Sequence, residues 1–241
     1  MELIQTTSTL FCAFLLSGYV GSIFEALYSM AAALGVSLTA GRHRALTVLF
    51  SHLAWVAMAC RVLGVRLKPF FPPPLGKGQW LSLRWRSNWL PWAAGGYFAS
   101  LLCYNGAESL NRVLLPAPPP GLEIIDESVV SRLVHPEDGD RIALALGSLA
   151  PCLTAPVFEE VLYRGFLLPA LTKFVPLGTA LPLHALLFGL HHHALPALLP
   201  LSALGLLWGA LYVLSGNLLV PMLIHAMWNS RIFITSLCGL G

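Results

Sequence analysis

The sequence predicts an all-α protein, a polytopic membrane bundle of seven to eight transmembrane helices. Of its 241 residues 56% are hydrophobic and only 10% are charged, whereas roughly a quarter of the residues in a soluble globular protein are charged. The mean hydropathy is correspondingly high, at +0.73. Because a helix that crosses a bilayer needs about 20 mostly apolar residues, the chain has room for these spans and little else. We therefore expect one integral membrane domain over residues 1–241.

Three apolar segments in the first half of the chain predict membrane helices over residues 10–34, 45–65 and 89–108. The segment 68–88 between the last two combines prolines with tryptophans. This mixture is typical of a loop at the level of the lipid headgroups, where proline stops a helix and indole anchors the chain. Residues 116–140 contain four prolines up to Pro120 and then six acidic residues, so we expect the longest extramembrane loop there, with one short amphipathic helix near residues 124–133.

The second half is also apolar, but its first segment is interrupted. Residues 141–174 contain Pro151, Pro156 and the charged cluster FEEVLYRG. One kinked helix and two abutting helices are both compatible with this pattern. Further spans are predicted over residues 177–192, 198–214 and 218–237, with proline or Gly-Asn turns between them.

Several classes of site are disfavoured by what the sequence lacks. The five cysteines are scattered singly without a CxxC pair, which argues against a zinc ribbon and a disulfide framework. There is no glycine-rich phosphate loop and no alternation of aromatic and basic residues. We therefore expect no cofactor, no bound metal and no nucleic-acid partner.

Charged residues inside the interrupted segment indicate function, because an ionisable group within a bilayer is costly unless it is paired. Glu160 and Arg164 are four residues apart, in the order that suits both an ion pair and the helix dipole. They can neutralise each other. Glu159 lies about 100° further round the helix and is therefore expected to face a different neighbour.

Two later helices carry polar side chains at the same spacing. His192 follows Phe188 by four residues, and Asn229 follows His225 by four. Because lipid offers no hydrogen-bonding partner, such polar stripes must turn towards each other. A glutamate, two imidazoles and a carboxamide around a small wet cavity are the groups needed to activate water and to hold an oxyanion.

Taken in order, these motifs resemble those of a known family. They read EExxxR, FxxxH and HxxxN, within the contexts FEEVLYRGFLLPAL, HALLFGLHHH and VPMLIHAMWNS. Each motif alone is weak, but the ordered set is specific, and it resembles the CAAX-processing and bacteriocin-immunity (CPBP) family, whose prototype is the Ras-converting endopeptidase. The resemblance defines a peptidase motif core over residues 149–231. It implies an intramembrane glutamate endopeptidase that hydrolyses a peptide bond at or near the membrane surface.

The resemblance also implies a role for each motif residue. Glu159 would be the general base that activates the attacking water, and His192 would help to orient that water. His225 and Asn229 would stabilise the oxyanion of the tetrahedral intermediate. Glu160 and Arg164 would form a structural pair that places Glu159, and no covalent nucleophile would be needed.

Each candidate residue also has a purely structural interpretation. The glutamate and arginine cluster could be a salt bridge that only locks two helices together. His191 and His193 are more typical of a helix end at the interface, and His184 is expected to be structural. Glu25 and His52 lie on the first two spans and could pair with each other or line a substrate path.

Two other functions remain open at this stage. A zinc metallopeptidase would bind its metal with Glu159, His192 and His225, although there is no HExxH motif. A non-catalytic scaffold or immunity protein could use the same fold. The partners expected are the lipid bilayer and a peptide or protein substrate, prenylated or not. Plasma membrane, endoplasmic reticulum and plastid membranes are all compatible with this multi-pass protein.

Overall fold

A computed structural model describes residues 2–66, 83–86, 88–115, 129–192 and 194–239. All regular secondary structure in these ranges is helical, so the predicted all-α fold class is confirmed. The predicted headgroup loop over residues 68–88 lies mostly outside the described residues, as does the first part of the predicted loop over residues 116–140.

Eight helices account for most of the described chain. They are α1 (Glu2–Ala33), α2 (Ala40–Arg66), α3 (Trp89–Leu114), α4 (Val129–Val134), α5 (Arg141–Leu171), α6 (Leu177–His191), α7 (Leu198–Ser215) and α8 (Leu219–Leu237). Helix α1 begins earlier than predicted because the polar residues before Leu10 continue its hydrogen bonding. Thr9 Oγ1, for example, donates to the carbonyl of Gln5 at 2.7 Å.

Length and composition allow four of the described helices to cross a membrane, over Ile4–Ala33, Ala40–Val65, Arg141–Leu171 and Leu195–Ser215. A shorter apolar helix spans Leu177–His191. The chain is therefore an integral membrane protein built as a polytopic helical bundle. The predicted number of seven to eight spans stays a prediction, because neither α3 nor α8 is among these four candidate spans.

The chain forms two compact units, and each is described by itself. The first contains residues 1–75, 126–158 and 228–241, and the second contains residues 76–125 and 159–227. The chain passes from one to the other within α5 and returns within α8. The single domain over residues 1–241 and the motif core over residues 149–231 stay predictions.

In the first unit, α1 and α2 pack together as a helical hairpin. Glu25 of α1 pairs with His43 of α2, with 3.1 Å between Oε2 and Nε2, and accepts a hydrogen bond from Thr47 at 3.2 Å. The alternative that Glu25 pairs with His52 is therefore wrong. The reason is position along the hairpin, since Glu25 lies near the end of α1 and meets the beginning of α2.

Asp140 joins the beginning of α5 to α2 in the same unit. One carboxylate oxygen caps α5 by accepting from the backbone N–H groups of Ile142 and Ala143. The other accepts from Thr39 Oγ1 at 2.7 Å and from Arg42 Nε at 2.8 Å. The hydrogen bond from Thr39 and the charged one from Arg42 hold the pKa of this carboxyl well below its usual range.

Helix α5 is continuous from residue 141 to residue 171, so the alternative of two abutting helices is not realised. It contains two wide π-helical stretches, Ala150–Thr154 and Val161–Leu167. In the first, the N–H of Ala155 donates to the carbonyl of Ala150, five residues back. Such wide turns re-aim the side chains around them and occur frequently at functional sites.

In the second unit, α6 and α7 approach closely because glycines lie at their contact. A Cβ atom on Gly205 would meet the Cα and carbonyl oxygen of Ala185 at 3.2 Å. A Cβ atom on Gly209 would lie 2.9 Å from Cε1 of His184. These two glycines form a GxxxG spacing, which lets helix backbones come together in membrane proteins. His184 is fully buried at this contact.

The turn between α7 and α8 is fixed by one buried side chain. Gly216 ends α7 in the left-handed region, with φ of +57°. The amide of the buried Asn217 then accepts from the backbone N–H of Arg84 and donates to its carbonyl, both at 3.0 Å. Its oxygen also accepts from the N–H of Leu219, which begins α8. One amide thus caps a helix and holds the segment before α3.

The glycine contact predicts a stability effect. Changing Gly209→Ala should lower stability by about 1–3 kcal/mol, because the added methyl overpacks against the His184 ring. Gly106→Ala is the matched control, since no described atom lies within 4 Å of its Cβ position. That change should be neutral or stabilising by up to ~1 kcal/mol through helix propensity. Melting temperature in detergent measures both, and equal melting temperatures would contradict the close contact.

The Asp140 cluster predicts a pH effect. A carboxyl whose pKa is lowered on folding adds stability above its unfolded pKa of about 3.9, and that stability is lost as the pH falls below this value. The Asp140→Asn protein keeps a helix cap but loses the charge, so its melting temperature should lie below the parent's at pH 6. The gap should narrow at pH 3. Glu137→Gln, which removes the partner of Arg44 in an exposed pair, should show a small gap at both pH values.

Candidate active site

The pair predicted from the EExxxR motif is present and completely buried. Arg164 Nη1 donates to Glu160 Oε1 at 2.9 Å, and both side chains are 0% exposed. The second terminal nitrogen of Arg164 donates to the carbonyl of Gly205 at 3.0 Å. That carbonyl is reachable because α6 and α7 pack closely through glycine. The pair therefore has neutral hydrogen-bonding support as well as charge balance.

Aromatic rings complete the surroundings of Arg164. Its guanidinium carbon lies 4.8 Å from the ring centre of Phe188 and 5.7 Å from that of Trp208. A cation near an aromatic face is stabilised by the ring quadrupole. Phe188, which entered the sequence analysis only as part of a motif, thus contacts the buried cation directly.

His225 joins the same carboxylate, which the spacing of the motifs did not indicate. Its Nδ1 lies 2.9 Å from Glu160 Oε1, although the two residues are 65 positions apart. A carboxylate paired with arginine is an acceptor only, so we infer that Nδ1 carries the proton and donates. The second ring nitrogen, Nε2, then points away from Glu160.

The two adjacent glutamates differ in their surroundings. The Glu159 side chain is 18% exposed, against 0% for Glu160. Its Oε2 lies 4.0 Å from His225 Nε2 and has no hydrogen-bond partner among the described residues. Glu160 Oε1 is bonded to both Arg164 and His225, and its Oε2, like that of Glu159, has no hydrogen-bond partner among the described residues. The two glutamates therefore differ in that only Glu159 is partly exposed and has its unbonded oxygen near Nε2 of His225.

His192 ends α6 and lies against Phe188. Its Nδ1 lies 2.8 Å from the Phe188 carbonyl, and the two rings are 4.8 Å apart. The carbonyl is an acceptor, so Nδ1 donates and Nε2 is left available. Over the part of the chain that the structure describes, no hydrogen bond or ion pair joins His192 to Glu159. The structure thus brings together Glu159, Glu160, Arg164 and His225, with His192 reaching them through the Phe188 ring.

Asn229 belongs to the first compact unit, where it satisfies a backbone group. Its Nδ2 donates to the carbonyl of Pro151 at 2.7 Å. In the π-helical register this carbonyl would accept from residue 156, which is Pro156 and has no N–H. The Asn229 amide takes the place of that missing donor, and its second N–H is left over.

The zinc alternative requires three ligands close together. Within the described ranges, no group of three His, Cys, Asp or Glu side chains is arranged to hold a metal ion. Glu159 and His225 are neighbours, but His225 Nδ1 is already engaged by Glu160. Of the three residues suggested as ligands, only these two lie side by side.

Two residues of the site were missed in the sequence. Trp208 packs against His225 with ring centres 4.7 Å apart, and its indole N–H donates to Ser100 Oγ at 2.9 Å. A tryptophan in the middle of an apolar span, away from the interface that tryptophan prefers, was the signal that could have found it. Ser100 of α3 had no such signal.

Comparison with known proteins agrees with the motifs. Residues 141–231 match the family model described as Type II CAAX prenyl endopeptidase Rce1-like. A Bacillus subtilis (strain 168) protein named "Putative membrane peptidase YdiL" is 24% identical over 146 residues, which cover 61% of this chain. The chain spans 56% of the length of that relative. No solved structure matches the chain.

The matched segment contains every residue of the EExxxR, FxxxH and HxxxN motifs. The resemblance that these motifs predict is confirmed, since residues 141–231 match the Rce1-like family model.

Proposed function

We propose that this protein is an intramembrane endopeptidase of the CPBP type, which hydrolyses a peptide bond at or near the membrane surface. The observation that carries the proposal is the difference between two adjacent glutamates beside one histidine. Glu160 is 0% exposed and holds Arg164 and Nδ1 of His225 through one oxygen. Glu159 is 18% exposed, and its unbonded Oε2 lies 4.0 Å from Nε2 of the same ring.

This geometry suits the activation of water. Two atoms 4.0 Å apart can each lie within hydrogen-bonding distance of one shared oxygen atom. In the proposed reaction Glu159 accepts a proton from a water molecule, and the oxygen of that water attacks the carbonyl carbon of the peptide bond. The tetrahedral intermediate then collapses, the C–N bond breaks, and Glu159 returns the proton to the leaving nitrogen. His192, with its free Nε2, would help to orient the water.

Stabilisation of the oxyanion falls to His225 and Asn229 in this proposal. His225 can donate from Nε2 when the ring is protonated, because Glu160 already accepts the proton on Nδ1. Asn229 has a second N–H besides the one bonded to Pro151. Hydrogen-bond donors reduce the barrier when they face the place where negative charge develops.

The substrate is proposed to be a peptide or protein that reaches the membrane. The matching family is described as a CAAX prenyl endopeptidase, so a peptide with a prenylated cysteine near its carboxyl end is the first substrate to assay. The same peptide without the prenyl group is the matched control. Cleavage of both at equal rates would remove prenylation from the proposal but leave the peptidase intact.

The glutamates should respond differently to the same substitution. Glu159→Gln keeps the shape and removes the proton acceptor, so turnover should fall by about 10²-fold or more with little change in melting temperature. Glu160→Gln leaves Arg164 buried without its counter-charge, which should cost about 3–5 kcal/mol of stability. Peptide cleavage and detergent melting temperature, measured on both variants, check this prediction.

Arg164 provides the controls. Arg164→Gln should lower the melting temperature as Glu160→Gln does, and the double variant should recover part of the loss because no unpaired charge remains. Recovery should be incomplete, since His225 still loses its carboxylate partner. If Glu159→Gln cleaves at the parent rate, or melts as low as Glu160→Gln, the cluster is a structural clamp and the scaffold alternative gains.

Chelation separates this mechanism from the zinc alternative. Peptide cleavage should be unchanged after dialysis against a strong chelator, since the proposed water is activated by a carboxylate and an imidazole. The measurement is turnover before and after treatment, together with the zinc content of the purified protein. Loss of activity that zinc alone restores would replace the proposal with a metallopeptidase.

A further inference from the structure

Trp208 is a buried aromatic neighbour of His225 that the mechanism does not yet use. It is 1% exposed in the middle of α7, and its indole N–H donates to Ser100 Oγ at 2.9 Å. Ser100 is 0% exposed and donates in turn to the carbonyl of Gly96 at 2.7 Å. A serine hydroxyl has one proton, so its use on Gly96 leaves the lone pairs for the indole.

The direction of both hydrogen bonds in this chain, from Trp208 to Ser100 and from Ser100 to Gly96, is therefore fixed. The indole can move only if it breaks a buried hydrogen bond, and an unpaired buried N–H is costly. The backbone of α3 thus holds the plane of the Trp208 ring through one side chain. Simple core packing would need the ring but not the hydrogen bond.

The Trp208 ring lies against a face of the His225 imidazole. Their centres are 4.7 Å apart and their planes differ by 36°. Phe188 presents its edge from another side, with centres 6.2 Å apart and planes at 79°. The hydrogen bond from Nδ1 to Glu160 fixes only one atom of the ring, so the imidazole could still rotate about that atom. The Trp208 and Phe188 rings beside it restrict this rotation and therefore the position of Nε2.

Close packing brings α3 to this place. A Cβ atom on Gly96 would overlap Ile224 Cδ1 and would lie 2.8 Å from Leu211 Cδ1. Ile224 directly precedes His225 in α8, and Leu211 follows Trp208 in α7. A side chain at residue 96 would therefore force the Ile224 and Leu211 side chains to shift, so its absence favours the close approach of α3 to both neighbours.

We propose that Trp208, tethered by Ser100, is a positioning residue that sets the orientation of His225 and so the turnover of the enzyme. This inference rests on the proposed peptidase function. It adds a part of the chain that lies outside the segment matching the family, since Ser100 precedes residue 141. The hydrogen bond between Trp208 and Ser100 should affect chemistry and not substrate binding, because both side chains are buried and offer a substrate almost no surface.

The test compares Ser100→Ala with Ser109→Ala. Ser109 lies on the same helix and makes the same kind of hydrogen bond, to the carbonyl of Asn105 at 2.8 Å, but it is exposed and is not bonded to Trp208. Ser100→Ala should lower kcat about tenfold with KM within about twofold, since misplacing a catalytic group by about 1 Å costs up to about 10²-fold. Ser109→Ala should match the parent. Assays are run well below each melting temperature, so that loss of folded protein does not contribute.

A double-mutant cycle tests the route of the effect. Trp208→Phe keeps an aromatic face but lacks the N–H, so it should reduce kcat by a similar factor. Combining it with Ser100→Ala should add little, because the tether is already broken. If the loss of kcat in the double variant equals the product of the two single losses, the two residues act independently and the proposal is wrong. An unchanged kcat in Ser100→Ala would also contradict it.

A readout without catalysis separates this inference from the proposed function. The imidazole resonances of ¹⁵N-histidine-labelled protein, with His225 assigned from a His225→Gln spectrum, should shift in Ser100→Ala and not in Ser109→Ala. If the parent cleaves no peptide, the proposed function fails, and these resonances alone decide whether Ser100 positions His225. Unmoved His225 resonances overturn the positioning role.

Discussion

The burial of Glu160 and Arg164 is the constraint on which the second compact unit depends. Two charges removed completely from water are stable only when each finds good partners. Arg164 takes the Gly205 carbonyl and the faces of Phe188 and Trp208, while Glu160 takes His225. These partners come from α6, α7 and α8. The ion pair in α5 thus dictates which faces of three other helices turn inward, and the glycine spacing in α7 allows the backbone to come close enough.

The wide turns of α5 answer a second constraint, the prolines within the helix. Pro156 removes an N–H from a helix that lies in an apolar environment, where every unpaired backbone group is expensive. The π register satisfies the carbonyl of Ala150, and the Asn229 side chain satisfies that of Pro151. Polar spacing and the family resemblance assigned Asn229 to catalysis, and the structure adds a backbone reason for an amide at this position. Any effect of removing it therefore has a stability part as well as a catalytic one.

Local spacing was the reliable part of the sequence analysis. Composition had already predicted the all-α class. Local spacing predicted the pairing of Glu160 with Arg164 and the different environment of Glu159, because residues four apart on one helix are neighbours by geometry. Contacts between distant segments were not predictable in this way. The bond from His225 to Glu160 spans 65 positions and that from Trp208 to Ser100 spans 108. Glu25 was given the wrong histidine because the register of the α1–α2 hairpin depends on where α2 begins.

The contrast between Glu159 and Glu160 follows from the same geometry. Successive residues on a helix point about 100° apart, so two adjacent glutamates cannot share one set of partners. The residue that faces Arg164 holds both Arg164 and His225 through one carboxylate oxygen. The other is carried to Nε2 of the same imidazole, where its Oε2 stays unbonded in a side chain that is 18% exposed. A general base must be held near its target and yet keep a free lone pair. The ion pair between Glu160 and Arg164 holds this part of α5 in place, and Glu159 can therefore keep a free lone pair at a fixed position.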